Sequence, residues 1–370
     1  MPEILLVDDE LQVLTGLRRA THLSSELWTL GWALDGPGAL EYMESHQVDA
    51  VVAHVRMAGT DGTTLLEQVR RGYPGTARVV LSEGADRDAI MSAAGSAQQF
   101  LSTSCDVDTL IATLDSILAA RALVQDPQLR SMFGGMDTLP RPPEIYAQLV
   151  TLAKQPNWTL NQVADLVERD VATTAELLKL VNSSFFGLAH EVSSVSRAVS
   201  LLGLDVLQEL VLAGQAFRPS RELPRDIVAS ELAARGIRAA QHVRAAGEVA
   251  GWSESAIGQM SVAALLYDVG LITLAGKKPD SWAEYRKLKT VFPPRDAQIC
   301  AFGCTFGRAG GYVLGLWGFH ANIVNAIAEQ PIALDDDVAS AAASAAGLVI
   351  AQAREAAIGE SSEALERSWH

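Results

Sequence analysis

The sequence predicts an α/β unit followed by an all-α unit, and three observations carry that prediction. Short apolar runs, each closing on a polar residue, recur through the first third of the chain with helical segments between them. Beyond the proline-rich stretch near residue 140, amphipathic spacings of three and four take over and no strand alternation returns. A length of 370 residues also exceeds what one core usually organises, so two domains are expected.

Each element has its own signal. Glu3–Val7 (EILLV) predicts a buried strand that closes on Asp8-Asp9-Glu10, and Leu11–Arg19 predicts an amphipathic helix. Ala50–His54 (AVVAH) and Arg78–Ser82 (RVVLS) repeat the strand pattern, and Thr63–Arg71 places Leu65, Leu66 and Val69 on one helical face. Strands alternating with helices imply a parallel sheet covered on both sides. Ligand chemistry in such sheets gathers at the carboxyl ends of the strands, which here present Asp8, Asp9, His54 and Ser82. A helical run over Leu110–Leu123 closes this unit.

The stretch Gln125–Pro143, with Asp126-Pro127, Gly134-Gly135 and its cluster of prolines, reads as a linker. Ile145–Lys154, Leu160–Arg169 and Thr173–Val181 then read as helices, with starts at Asn157-Trp158-Thr159 and at Asp170. Asp335–Asp337 caps an alanine-rich final helix over Val338–Ala353, and the end from Gly359 is polar. The expected boundaries are a first domain over 1–122, a linker over 123–138, a helical domain over 139–354 and a tail over 355–370.

Composition narrows the function classes. Residues are 49% hydrophobic and 20% charged, which is globular and not disordered. Apolar runs are broken before membrane-spanning length and Met1 leads straight into Glu3, so neither a membrane span nor a signal peptide is expected. Three cysteines are too few for a disulfide scaffold, and a cytoplasmic setting follows. The net charge is −15, and residues 1–125 alone carry eight Arg, no Lys and seventeen acidic groups. Such a surface repels phosphate backbones, so no DNA partner is expected.

The run LLVDDE, then VVAHVRMAGTDG, VVLSEGAD and QQFLSTSCD, resembles a response-regulator receiver domain. The resemblance implies a flavodoxin-like, doubly wound, five-stranded parallel sheet whose acidic pair binds magnesium and whose third aspartate takes a phosphoryl group. Carried over by position, Asp8 and Asp9 are the acidic pair, Ser82 is the phosphate-contacting hydroxyl and Phe100 is the aromatic switch residue. His54 stands where the acceptor aspartate belongs, Thr103 where a lysine belongs, and Ser104 where a proline usually follows. Aspartyl phosphate needs a carboxylate nucleophile, and no lysine precedes Lys154. Phosphorylation at the usual place is therefore excluded. The expectation for His54 is an inert pairing with Asp8 or Asp9, with no metal and no cofactor. A pH-sensitive latch, a phosphorylated histidine, or a transition metal shared with Asp8 and Asp9 are the alternatives.

The second half, LPRPPEIYAQLVTLAKQPNWTLNQVADLVERDVATTAELLKLVNSSFFGL and then VSSVSRAVSLLG, resembles an HDOD domain. That resemblance implies a helical bundle related to metal-dependent HD phosphohydrolases that has generally lost their catalytic residues. The His-Asp signature reads Tyr267-Asp268, an upstream metal-binding position is Arg235, and a downstream histidine position is Phe306. His242 and His320 are nearby, each alone on its helix. A metal-dependent hydrolase needs several ligands, so no metal and no enzyme activity are expected. Arg235 either points into the vestigial pocket and neutralises Asp268, or faces solvent with Arg238 and His242; the sequence leaves both open.

Arg218, Arg221, Arg225, Arg235, Arg238 and Arg244 crowd one stretch against three acidic residues. The favoured reading is a solvated face, and the alternative is an anion site for a phosphate-bearing ligand such as a cyclic dinucleotide. The expected function is a bacterial two-component-type regulator that acts by protein–protein contact with signalling partners. It would dock on its own helical domain or form a homodimer through the receiver around Phe100 and Leu110–Leu118. A ligand sensor using the arginines and a residual phosphohydrolase are the alternatives.

Overall fold

The structure is a computed structural model, and it describes residues 1–11, 14–15, 28–57, 61–82, 96–103, 105–136, 138–140, 143–155, 157–182, 192, 194–212 and 223–329. The chain divides into two compact units. One comprises residues 1–137 with the short segments 182–189 and 313–318, and the other takes the remainder.

In the first unit, five strands pair in parallel: β1 (Glu3–Val7), β2 (Thr29–Ala33), β3 (Ala50–His54), β4 (Ala77–Ser82) and β5 (Gln99–Ser102), in the order β2-β1-β3-β4-β5. This is the flavodoxin-like order. The order in which successive strands are laid down reverses between β1 and β3, which opens a crevice at their carboxyl ends. Val7 lies opposite Ala53, and His54 opposite Leu81. The first four residues of β3, Ala50–Ala53, are completely buried, as is expected of a strand covered on both faces.

Helices α1 (Gly36–Ser45), α2 (Gly62–Gly72) and α3 (Val107–Ala122) flank the sheet. Ala39 and Met43 of α1 and Leu65, Leu66 and Val69 of α2 pack with Leu5, Val7, Val51, Ala53 and Val80. Asp35 caps α1 by accepting from the Gly38 amide at 2.7 Å, and Asp106 caps α3 through the Thr109 amide at 2.7 Å. The hydrogen bonds from Thr109 hold the Asp106 carboxyl below the usual range.

Residues 127–134, read from sequence as linker, form a helix, α4 (Pro127–Gly134). Asp126 is its N-cap, accepting from Gln128 N at 2.7 Å, and Pro127 occupies the first helical turn, where its missing N–H costs nothing. The helix is fastened to the sheet by Arg78, whose guanidinium donates to Gly134 O (2.9 Å), Ser96 O (2.7 Å) and Thr76 O (3.3 Å). Arg78 is 1% exposed, so a cation inside the unit is satisfied by carbonyl dipoles. Gln98 Nε2 donates to the same Gly134 oxygen at 3.1 Å.

The second unit is helical among its described residues: α5 (Pro143–Ala153), α6 (Leu160–Val167), α7 (Val171–Val181), α8 (Val195–Leu212), α9 (Ala229–Val249), α10 (Glu254–Leu265), α11 (Val269–Lys277), α12 (Pro279–Leu288), α13 (Pro294–Phe302), α14 (Phe306–Leu316, of which residues 306–312 belong to this unit) and α15 (Ala321–Ala328). Helix α8 is broken at Gly203, where φ is 75°. Both expected helix starts are present. Thr159 forms a capping box with Gln162, and Asp170 accepts from the Thr173 amide at 2.8 Å and its hydroxyl at 2.6 Å. Helix α7 is buried along its whole length, and Glu176 on it accepts from Leu139 N at 2.9 Å.

Glu254–Lys277 is long and apolar enough to cross a membrane, but 78% of that window is buried inside the protein, as befits a core helix pair. Most of the helix expected over Leu11–Arg19, the VNSSFFG turn beyond Asn182, Ser104, and everything expected beyond residue 329 lie outside the described residues.

Candidate functional site

At the switch point of the sheet, the three groups singled out from sequence come together. Asp8, Asp9 and His54 each offer a ligand atom, and these atoms all lie within 4.8 Å of one another. Asp8 is buried, Asp9 is exposed and His54 is partly covered. The Glu10 amide donates to Asp8 Oδ1 at 2.9 Å, which orients the carboxylate. Its other oxygen, Oδ2, stands 4.0 Å from His54 Nδ1, an ion-pair distance too long for a hydrogen bond. Neither nitrogen of His54 has a hydrogen-bond partner among the described residues, and neither does Ser82 Oγ at the end of the adjoining strand.

Two further predicted residues flank this cluster. Thr103 is exposed and its amide donates to Ser82 O at 2.9 Å, extending the ladder past β5 without bringing any charge. Phe100 lies opposite Val80 and is 4% exposed, packed into the core beneath the sheet. Sequence reasoning missed Gly62. A Cβ there would lie 2.0 Å from the His54 carbonyl oxygen, so only glycine lets the start of α2 pass behind the end of β3.

The receiver resemblance implies magnesium, and the donor set does not fit it. Magnesium takes oxygen ligands in near-octahedral geometry, whereas the third position here is an imidazole.

The second cluster lies in the helical unit. Asp268 immediately precedes α11 and its side chain is 5% exposed; Arg235 Nη2 of α9 stands 3.5 Å from its Oδ2. Of the two arrangements open from sequence, the structure has the paired one. Tyr267 is buried beside it. Phe306, at the position of a histidine ligand, packs in an aromatic group, with ring centroids 5.2 Å from Tyr285, 5.6 Å from Phe302 and 6.4 Å from Trp282. A Cβ on Gly270 would lie 1.8 Å from the Phe306 carbonyl oxygen, so α11 and α14 touch backbone to backbone next to Asp268. His320 serves a structural end: its Nδ1 accepts from Asn322 N at 3.1 Å as the cap of α15.

The four described arginines of that stretch do not converge on one face. Arg218 and Arg221 lie outside the described residues. Arg225 and Arg244 are exposed, while Arg235 is engaged by Asp268. At 100° per residue, Arg244 falls on the side of α9 opposite Arg235 and about 14 Å along its axis. Only Arg238 and His242 share the Arg235 side of the helix. In the stretch named for receiver self-association, Leu110, Ile111, Leu114 and Ile117 face the core, while Ala112 is exposed and Leu118 is half-buried.

Comparisons with known proteins follow the same division. A model of the HDOD domain matches residues 139–332, more than half of the chain, and a model of the response regulator receiver domain matches residues 4–115. The chain is 24% identical over 266 residues to the uncharacterized transcriptional regulatory protein YesN of Bacillus subtilis, covering 64% of this chain and 72% of that protein. It is 23% identical over 196 residues to an uncharacterized protein of Treponema pallidum, covering 52% of this chain and 37% of the relative's length. Similar solved structures include the signal receiver domain of an HD domain-containing protein from Pseudomonas fluorescens, at 32% identity and a TM-score of 0.31 over 33% of this chain and 97% of that one. The MmoQ response regulator of Methylococcus capsulatus is 19% identical, with a TM-score of 0.47, over 60% of this chain and 87% of that one.

Proposed function

Because the chain belongs to the HDOD family and carries a response-regulator receiver domain ahead of its HDOD domain, it is a signal-transduction regulator, and we propose that it works without catalysis, by protein–protein contact. The observation that carries this reading is His54 at the carboxyl end of β3, 4.0 Å from Asp8, where a phosphoryl acceptor would need a carboxylate. Thr103 at the end of β5 supplies no cation for a transferring phosphoryl group. The receiver is thus a pseudo-receiver, independent of aspartyl phosphorylation.

The HDOD domain supports the same reading. A hydrolase of this kind needs a metal that polarises water, and the charge beside Asp268 is instead a guanidinium that cannot generate hydroxide. What both domains retain is their packing, which suits them to present surfaces. The cyclic-dinucleotide reading is disfavoured by Arg235, which is engaged by Asp268, and by Arg244, which falls on the opposite side of α9.

The test has two arms. Full-length protein is incubated with acetyl phosphate and Mg²⁺ and its intact mass recorded, and it is assayed for hydrolysis of phosphodiesters with Mn²⁺. No phosphoryl adduct and no turnover above the Asp268→Asn background are expected; either signal overturns the reading. Affinity capture with the full chain then asks what it binds. A specific protein supports the proposal, whereas a co-purifying nucleotide without one favours the sensor.

A further inference from the structure

We infer that Asp8, Asp9 and His54 hold a borderline divalent metal of the zinc, cobalt and nickel class at the crevice between β1 and β3. This departs from the expectation of no metal drawn from the sequence, and it rests on the donor set alone, so it stands or falls separately from the protein-contact reading.

The geometry has three parts. The donor atoms of the three residues already lie within 4.8 Å of one another without an ion between them. The Asp8 carboxylate is held by the Glu10 amide on Oδ1, which leaves Oδ2 directed to His54 Nδ1. This is the support that fixes a metal ligand in place. The gap between those atoms is 4.0 Å. Zinc bonds of about 2.0–2.1 Å to nitrogen and oxygen set tetrahedral neighbours about 3.4 Å apart, so closing on an ion takes about 0.6 Å for the Asp8–His54 pair and at most about 1.4 Å for any other pair of donors.

The chemistry selects the class of ion. Both His54 nitrogens are buried without a hydrogen-bond partner among the described residues, although the side chain is only 17% exposed. Unsatisfied buried polar atoms are costly and call for a partner. An ion on Nδ1 supplies one where Asp8 is too distant to do so. Imidazole nitrogen beside two carboxylates suits zinc, cobalt and nickel, whereas magnesium and calcium take oxygen. Asp9 is exposed, so water has access to the remaining coordination positions. Ser82 Oγ, buried and unpartnered at the neighbouring strand end, is available to such a water.

The experiment uses untagged full-length protein stripped of metal with a chelator and titrated with Co²⁺ and Zn²⁺ by calorimetry and visible absorption. One Co²⁺ per chain with visible d–d bands is expected, resistant to millimolar Mg²⁺. His54→Gln should weaken Co²⁺ binding by more than about tenfold, and His54→Asp should make Co²⁺ binding more sensitive to competition by millimolar Mg²⁺. Circular dichroism verifies that each variant is folded. Should His54→Gln fail to fold, Asp9→Asn decides, because Asp9 is exposed and its loss should weaken binding while sparing the fold. Absence of stoichiometric binding overturns the inference. So does binding that survives in folded His54→Gln, or in Asp9→Asn where that variant decides, since the metal then lies elsewhere, for example at Cys300 or Cys304.

Discussion

The ion pair between Arg235 and Asp268 makes a quantitative prediction. At 3.5 Å and an effective dielectric constant of about 20, two unit charges attract by about 5 kcal/mol. Desolvation of Asp268, whose side chain is 5% exposed, takes back much of that, and Arg235 at 27% exposure is partly screened by water. A net coupling of about 1–3 kcal/mol remains. Arg235→Met keeps the apolar stem and removes the charge, stranding a buried carboxylate, and should cost about 2–4 kcal/mol. Asp268→Asn should cost about 1–2 kcal/mol, since a neutral amide can still accept from the guanidinium. The double variant should fall short of the summed losses by the coupling energy. Urea unfolding read by hydrogen exchange of peptides spanning residues 229–277 isolates the helical unit, which a whole-chain signal would blend with the first. Losses that add to within about 0.5 kcal/mol would refute the argument, because the two charges would then not be interacting.

Three other predictions follow from the first unit. Arg78→Ala should destabilise it by about 3–5 kcal/mol through lost charge-assisted hydrogen bonds and a cavity, and should speed protease cleavage around α4; Arg78→Met, which refills the space, should recover part of the stability but not the protection. Gly62→Ala should cost about 2–3 kcal/mol, because its Cβ would sit 2.0 Å from the His54 carbonyl; a thermal melt unchanged from wild type would contradict this close approach. Tyr42 is pushed up to about 12, chiefly by burial and then by its hydrogen bond to the Glu3 carboxylate and that group's negative charge. Its folded value lies above its ordinary value near 10, so its contribution is fully present below pH 10 and lost as pH rises towards 12. Tyr42→Phe should therefore flatten the alkaline fall in the urea midpoint across that window.

Much of this was legible in the sequence, for identifiable reasons. EILLV and AVVAH span β1 and β3 to the residue, because strands buried on both faces leave an unbroken apolar run. The meeting of Asp8, Asp9 and His54 followed from placing polar residues at carboxyl ends of parallel strands, where topology alone makes them neighbours. Helix α4 was missed because Asp126-Pro127 and Gly134-Gly135 are turn residues in one context and helix cap, first turn and stop in another. What decides between them is Arg78, distant in sequence, whose bond to Gly134 no local pattern announces. The arginine count could not choose between its two readings. Density along the chain says nothing of direction around a helix, and Arg244 turns away from Arg235. Helix α7 hid its complete burial, since Glu176 and Lys179 look like a solvent face until Leu139 N is seen to occupy the carboxylate.

The charge beside Asp268 has a consequence in terms of mass action. A bound ion stabilises a fold by an amount that depends on its free concentration, and it leaves when that concentration falls. Arg235 belongs to the chain, so its occupancy is constant, it has no dissociation rate, and no chelator withdraws it. The HDOD unit therefore keeps this part of its stability through any swing in metal supply. At this position the unit carries its counter-charge in its own sequence, so a change in metal supply leaves the charge that Asp268 faces unaltered.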